Sequence, residues 1–325
     1  MNRADTFVLH IGLPKTATTY LQKEVFPTVP AVRYLGIPRG DLFASPQDLD
    51  RGRRTLTACV NRSAEVWEGA GEAVLEEVFG CERAARPRGD VLVSDEGVGR
   101  SGSRPALLGA HLRALRRRAE VWGFERVRIL CVIRRQDHWL ASHYAQISDR
   151  NPESSQEDFE AMIRDTVDPA GDRYGFGMLL DYAALTGAVE DAVGAENLLV
   201  LPYERLAQEP VRFLQSVYNF LEADAPPRRE GEPERRNVRS AGGEVWELRP
   251  SARERVLRLR PARLAGALGL PNEIRLIRNP RNEEVTKTIR LTPPLRALIS
   301  DAYRRSNRSL ENRYDLRLDR LGYDL

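Results

Sequence analysis

The chain has 325 residues, 30% of them charged, and a formal net charge of only +3. That near balance excludes a general nucleic-acid binder, whose footprint is a strong basic excess, while the length suffices for a large core in one α/β domain. Three cysteines (Cys59, Cys81, Cys131) and four histidines (His10, His111, His138, His143) lack disulfide-framework or metal-ligand spacing, and no apolar run approaches a membrane span.

Phe7 to Ile11 is an apolar, β-rich run that predicts a buried strand. Gly12 and Pro14 break it, and a helix is predicted from about Thr18 to Val25, ended by Pro27. Strand, tight loop and helix together aim backbone N–H groups and a helix N-terminus at an anion. Lys15 adds a full charge to the loop, in a chain whose only other lysines are Lys23 and Lys287. The hydroxyls of Thr16, Thr18 and Thr19 add short donors. A nucleotide phosphate loop needs Gly, four residues, then Gly-Lys-Ser/Thr. Here Lys15 follows Gly12 by three, and Ala17 stands where a second glycine would. Gly12-x-x-Lys15-x-x-Thr18-Thr19 resembles instead the 5′-phosphosulfate loop of sulfotransferases, enzymes that use 3′-phosphoadenosine 5′-phosphosulfate (PAPS). The resemblance implies that Pro14, Lys15, Thr16, Ala17, Thr18 and Thr19 hold that group.

Residues 28–62 carry no clear period. Pro30, Pro38 and Pro46 punctuate them, and a helix over Asp48 to Asn61 is one reading. Glu65 to Phe79 has helical spacing, and Trp67 on it is assigned to the core. Arg83 to Gly89 reads as a polar loop. Asp90 to Ser94 predicts a second strand, ending in Asp95-Glu96-Gly97. Carboxylates at the carboxyl end of a strand stand at the edge where open α/β sheets bind ligands. Asp95 is assigned to capping the next turn. Glu96 is the functional candidate, because the segment resembles carbohydrate-modifying bacterial sulfotransferases. Ser103-Arg104-Pro105 opens a helix with Leu108, Leu112, Leu115 and Ala119 inward, and Arg113, Arg116, Arg117 and Arg118 on a solvated face.

Val127 to Ile133 is the clearest strand after the first, with Cys131 in the core, and it runs directly into Arg134. Ser142 follows Arg134 by eight residues, in the first turns of the next predicted helix. Sulfotransferases resemble this too: an arginine ends a central strand, a serine follows eight residues on, and both contact the 3′-phosphate of PAPS. Arg134 offers that phosphate a planar fork of donors. Arg135 competes for the role at a spacing of seven. His143, beside Ser142, is a second candidate base and is expected to face away from the sulfate. A short helix is predicted around Phe159 to Ile163, another after Tyr182, and a strand at Asn197 to Leu201. Tyr203-Glu204-x-Leu206 resembles a signature of many sulfotransferases, with Glu204 structural. Pro210 to Leu221 predicts a helix with Val211, Leu214, Val217, Tyr218 and Leu221 inward. Residues 226–240 form a charged loop. The resemblance implies that this loop closes over the 3′-phosphate; Arg235, Arg236, Arg239 and Ser240 are the candidates, with no spacing to choose between them, and Arg236 is carried forward. An arginine-rich helix is predicted at Arg249 to Arg263.

The resemblance implies one α/β sulfotransferase domain over residues 1–325: a central parallel β-sheet flanked by helices, with a P-loop-like sulfotransferase fold and a helical portion from about 241 to 325. It further implies sulfuryl transfer from PAPS to a hydroxyl or amine, leaving PAP and needing no metal. Lys15 and Glu96 are the catalytic candidates. The acceptor is a small molecule or a glycan, with a glycolipid or secondary metabolite equally open. No nucleic acid, no stable membrane insertion and a cytoplasmic, bacterial setting are expected, since the first residues hold no apolar signal region. The alternatives are a nucleotide-dependent kinase or NTPase with a degenerate phosphate loop, and a non-catalytic PAP-binding protein.

Overall fold

The computed structural model describes residues 4–30, 32–35, 55–86, 88–168, 170, 175–224, 244–250 and 287–325. Five strands form one parallel sheet: β1 (Thr6–His10), β2 (Val32–Leu35), β3 (Asp90–Ser94), β4 (Arg126–Ile133) and β5 (Leu198–Pro202), in the order β2-β3-β1-β4-β5. β1 is therefore central, with His10 beside Ser94 of β3 on one side and Leu130 of β4 on the other. A parallel sheet needs both faces covered, which is why its strands read as continuous apolar runs.

The period of two sorts those side chains into two layers. Phe7, Leu9, Val91, Val93, Ile129 and Cys131 enter one cluster. Over that face lie α1 (Val66–Phe79), α2 (Pro105–Val121), α3 (Gln136–Ile147), α4 (Gln156–Val167) and α5 (Tyr182–Val193). Val8, Leu92, Leu130 and Val132 enter the other cluster, covered by the helical segment after β1 and by α6 (Pro210–Phe220). The segment after β1 thus lies on the opposite face from the helices after β3 and β4. That divergence opens a crevice at the carboxyl ends of the central strands.

Near the carboxyl terminus, β6 (Val245–Glu247) and β7 (Thr288–Arg290) pair antiparallel, and α7 (Pro293–Tyr314) follows. α7 is locked to the sheet layer through Asn307, whose Oδ1 accepts from Gln136 Nε2 at 2.7 Å, and through Ser306, whose hydroxyl donates to Asp181 at 2.7 Å.

Several expectations need correction. The first helix covers Thr18 to Val25 as expected, but as an α turn followed by π-type turns, and a separate 3-10 turn, Phe26–Thr28, holds Pro27 where its missing N–H is harmless. Arg118 is not on a solvated face, because its guanidinium donates to the carbonyl of Trp67 at 2.8 Å and ties α2 to α1. Val211 is 56% exposed, since Phe213, Val217 and Phe220 form the inward stripe of α6. α4 is twelve residues long, capped by Ser155, rather than a short helix at Phe159 to Ile163. Arg249 and Pro250 follow β6 outside any helix, and the rest of the predicted arginine-rich helix lies outside the described residues, as does the charged loop with Arg236. Of the helix proposed for Asp48 to Asn61, residues 55–60 are helical and 48–54 lie outside the described residues.

Candidate active site

The loop after β1 is curled rather than extended. Lys15 and Ala17 both take positive φ, 69° and 62°, in the left-handed region that side chains with a Cβ rarely adopt. Outliers of this kind persist only where surrounding contacts fix them, and they gather at ligand clamps. Here the contacts all act on carbonyl groups. Leu13 O accepts from the Thr16 hydroxyl and from Thr18 Oγ1. Pro14 O accepts from Trp139 Nε1 at 2.7 Å, and Lys15 O accepts from Arg134 Nη1 at 2.9 Å. With three consecutive carbonyls turned into the protein, the N–H groups of Thr16 and Ala17 bond to no described residue. A curl that gathers unpaired N–H groups at the start of a helix has the shape of an anion cradle. Thr16 and Thr18 are buried with hydroxyls spent on Leu13, Thr19 is exposed, and Lys15 is half-buried.

The floor of the cradle is polar. His10 Nδ1 lies 2.7 Å from Ser94 Oγ, which also accepts from Gln22 Nε2 at 2.9 Å. Complete burial pushes the His10 imidazole down to about 3, so the ring is neutral. Its Nε2 has no partner, and a Cβ placed on Gly12 would meet it at 2.6 Å. Gly12 is therefore required by the close approach of the imidazole.

Arg134 leaves β4 and crosses to the loop. Its guanidinium lies over the Tyr203 ring at 4.8 Å, and its backbone carbonyl accepts from the Tyr182 hydroxyl at 2.6 Å. Its Nε is buried and unbonded. Arg135 turns away and pairs with Asp137 at 2.6 Å. Glu204 fixes this fork in the chain: one oxygen accepts from the Arg135 N–H at 3.0 Å and the other from the Tyr323 hydroxyl at 2.9 Å. Burial pushes its carboxyl up, while the Arg135 N–H, the Arg134 charge and the Tyr323 hydroxyl pull it back. Ser142 is half-buried on α3 and its hydroxyl bonds to no described residue.

The carboxyl end of β3 supplies the third wall. Asp95 caps the five-residue helix Glu96–Arg100, accepting from Gly97 N at 2.7 Å and from the Thr57 hydroxyl. Glu96, next to it, is half-buried and makes no hydrogen bond or ion pair with a described residue. Gly99 lets this helix touch the loop backbone, since a Cβ there would lie 2.4 Å from the Ile11 carbonyl oxygen. The parallel order brings the ends of β3, β1 and β4, and so Glu96, Lys15 and Arg134, to one sheet edge.

His143 is buried beside the residue that bonds the loop. Its ring stacks on Trp139 at 4.6 Å and meets Phe176 edge-on at 5.1 Å. Burial, then the charges of Arg100, Lys15 and Arg150, push it down to about 4. Residue 143 shares the inward face of α3 with residue 139, one turn earlier, and Trp139 is the residue bonded to the loop.

No family model matches the sequence, and no curated protein matches it. Solved structures similar to this chain include three sulfotransferases. One, from Alicyclobacillus acidocaldarius, is 16% identical, with a TM-score of 0.43 over 71% of this chain and 88% of that one. Mouse sulfotransferase SULT7A1, solved in complex with PAP, is 14% identical, with a TM-score of 0.36 over 70% and 62%. The sulfotransferase domain from the curacin biosynthetic pathway is 15% identical, with a TM-score of 0.32 over 70% and 76%. At these scores the site stands on its own geometry.

Sequence reasoning missed Trp139, Tyr182, Tyr203 and the His10–Ser94–Gln22 network. Each acts across the sheet edge between residues far apart in the chain, so no local pattern announces it. Among the described residues, no group of three or more His, Cys, Asp or Glu could hold a metal, and no helix is long and apolar enough to cross a membrane.

Proposed function

We propose that the chain, taken as one unit over residues 1–325, is a PAPS-dependent sulfotransferase that passes a sulfuryl group to a hydroxyl or amine of a small-molecule or glycan acceptor. One observation carries the reading: Arg134 bonds the Lys15 carbonyl while its own Nε stays buried and unpaired. A buried, unpaired guanidinium nitrogen is costly in the free protein and is satisfied by a phosphate oxygen. The cradle and Arg134 therefore form two linked anion sites, which fits a donor bearing a 5′-phosphosulfate and a 3′-phosphate.

In this reading the N–H groups of Thr16 and Ala17, with Lys15, hold the phosphosulfate and stabilise charge growing on the leaving oxygen. Pro14, Thr18 and Thr19 shape that cradle. One donor of this type is typically worth roughly 3 kcal/mol. Arg134 and Ser142 hold the 3′-phosphate. Glu96, unpaired at the edge of the loop, takes the acceptor proton. Positioning and electrostatics carry catalysis, as in phosphoryl transfer.

The test is ligand preference followed by turnover. PAP binding in the absence of magnesium, with ATP much weaker, supports the donor assignment. Transfer of ³⁵S from labelled PAPS in an acceptor screen supports the reaction. ATP binding that requires magnesium would favour a kinase or NTPase instead, and tight PAP binding with no transfer to any acceptor would favour a regulator.

A further inference from the structure

Three side chains stand where β4 passes into α3. Arg134 ends the strand. His138 and Ser142 are four residues apart on α3 and so share a face. Arg296, from α7, lines a cleft with Arg135, Gln136 and Asp137, and its charge opposes protonation of His138 as that of Arg134 does. The Nε atoms of both Arg134 and Arg296 are buried and unbonded. The Ser142 hydroxyl and the ring nitrogens of His138 make no hydrogen bond to a described residue; only the backbone N–H of His138 does, to Asp137. The half-buried imidazole is held edge-on against the Trp246 indole at 5.6 Å, so its position is set by packing. The unbonded Nε of Arg134, the Ser142 hydroxyl and the His138 imidazole, spaced four residues apart in sequence, are the donor set of a site for a compact anion.

We propose that His138 is a third, titratable ligand of the 3′-phosphate, so that binding of the nucleotide takes up a proton from solvent at this imidazole. The proposal rests on the PAPS reading above. No bond in the ligand changes; the imidazole gains one proton and becomes a second N–H donor to the phosphate.

The charges around the ring set the direction. In the free protein burial first, then Arg135, Arg134 and Arg296, push His138 down to about 4, against the opposing pull of Asp137. Asp137 is committed to Arg135 at 2.6 Å. The strand carrying Trp246 brings Glu247 and, just before it, Glu244, which pairs with Arg296 at 2.5 Å; the strand beside it brings Lys287 and Arg290. The imidazole is thus neutral at pH 7 before binding. A phosphate dianion between Arg134 and Ser142 offsets the arginine charges at a range of one helical turn. Opposite charge at that distance favours the protonated ring, lifting its titration towards neutrality.

The test is calorimetry of PAP binding to the full chain at pH 6.5, in two buffers of different ionisation heat. The wild type is expected to take up close to one more proton per PAP than His138→Gln. The variant retains only the contribution of the phosphate itself, whose second ionisation lies near pH 6. The ratio of wild-type to variant affinity for PAP is expected to rise roughly fourfold to tenfold from pH 8 to pH 6.5. Adenosine 5′-phosphosulfate, which lacks the 3′-phosphate, is expected to show no such difference. A measurement on wild type alone guards against a variant that misfolds: in the NMR spectrum, one of the four imidazoles moves its titration midpoint upward when PAP is added. Equal proton uptake in wild type and variant, or no shifted imidazole while PAP binds, would overturn the inference and leave the donor reading intact. Failure of the wild type to bind PAP at any pH would overturn both.

Discussion

Gly99 offers a direct test of how the third wall is held. A methyl group there would lie 2.4 Å from the Ile11 carbonyl oxygen and 3.0 Å from that of Gly12. Ordinary contact begins near 3.4 Å, so Gly99→Ala requires the two segments to part by about 1 Å. The loop side is stiff, because the Ile11 N–H donates to Leu130 O at 2.9 Å and β1 is paired on both sides. The five-residue helix Glu96–Arg100 has no strand pairing and is held by its Asp95 cap and the buried Val98, so it is the segment expected to yield, and Glu96 moves with it. A misplacement of about 1 Å near a reacting centre costs on the order of 10²-fold in rate. Overpacking costs about 1–3 kcal/mol of stability, which lowers the melting temperature by about 2–4 °C per kcal/mol. The assay is ³⁵S transfer beside PAP calorimetry and thermal melting. Turnover is expected to fall about 10²-fold while PAP affinity stays within about twofold. Wild-type turnover with an unchanged melting temperature would refute the contact. Equal loss of turnover and PAP affinity would show that the loop yields, refuting the assigned stiffness.

Lys15→Ala is expected to fold normally and lose turnover by about 10²-fold or more, checked by thermal melting beside ³⁵S transfer; near-native turnover would remove Lys15 from the reaction. Arg134→Ala and Ser142→Ala should weaken PAP more than adenosine 5′-phosphosulfate, by about 1.5–3 kcal/mol for the charged contact, and calorimetry showing equal losses would sink the 3′-phosphate assignment. Glu96→Gln should keep or slightly tighten PAP binding while lowering turnover by roughly 10²–10⁴-fold; unchanged turnover would place the base elsewhere. Stability should fall on acidification from pH 7 to pH 5. His10 is held at about 3, and His138 and His143 at about 4, all below the value of an unfolded histidine. The unfolded chain then binds more protons, so the stabilisation is complete above the unfolded value and is lost as pH falls below it. A melting temperature flat over that range would contradict neutral burial of these rings.

What could be read from the sequence follows from range of interaction. β1 and β4 are announced by unbroken apolar runs, because strands buried on both faces need them. β2 was missed because four residues between Pro30 and Pro38 give too short a signal. Asp95 was correctly assigned as a cap, since capping is local. The exposure of Val211 and the bridge made by Arg118 depend on which neighbour arrives at that face, and no window of sequence contains the neighbour. The same limit applies to the loop. Its residues are visible in order, but the turning of its carbonyls by Trp139 and Arg134 spans more than a hundred residues of chain.

The indole of Trp139 is fully buried, donates its N–H to the Pro14 carbonyl and stacks on His143. An indole so placed is an optical gauge of the loop. Its emission depends on whether that hydrogen bond is kept and on the charge of the imidazole lying against it. Occupancy of the cradle would then be readable as the part of the intrinsic fluorescence change that Trp139→Phe, which keeps the other three tryptophans, no longer shows. Entry and departure of a nucleotide could be timed by stopped flow without any label and before any acceptor is known.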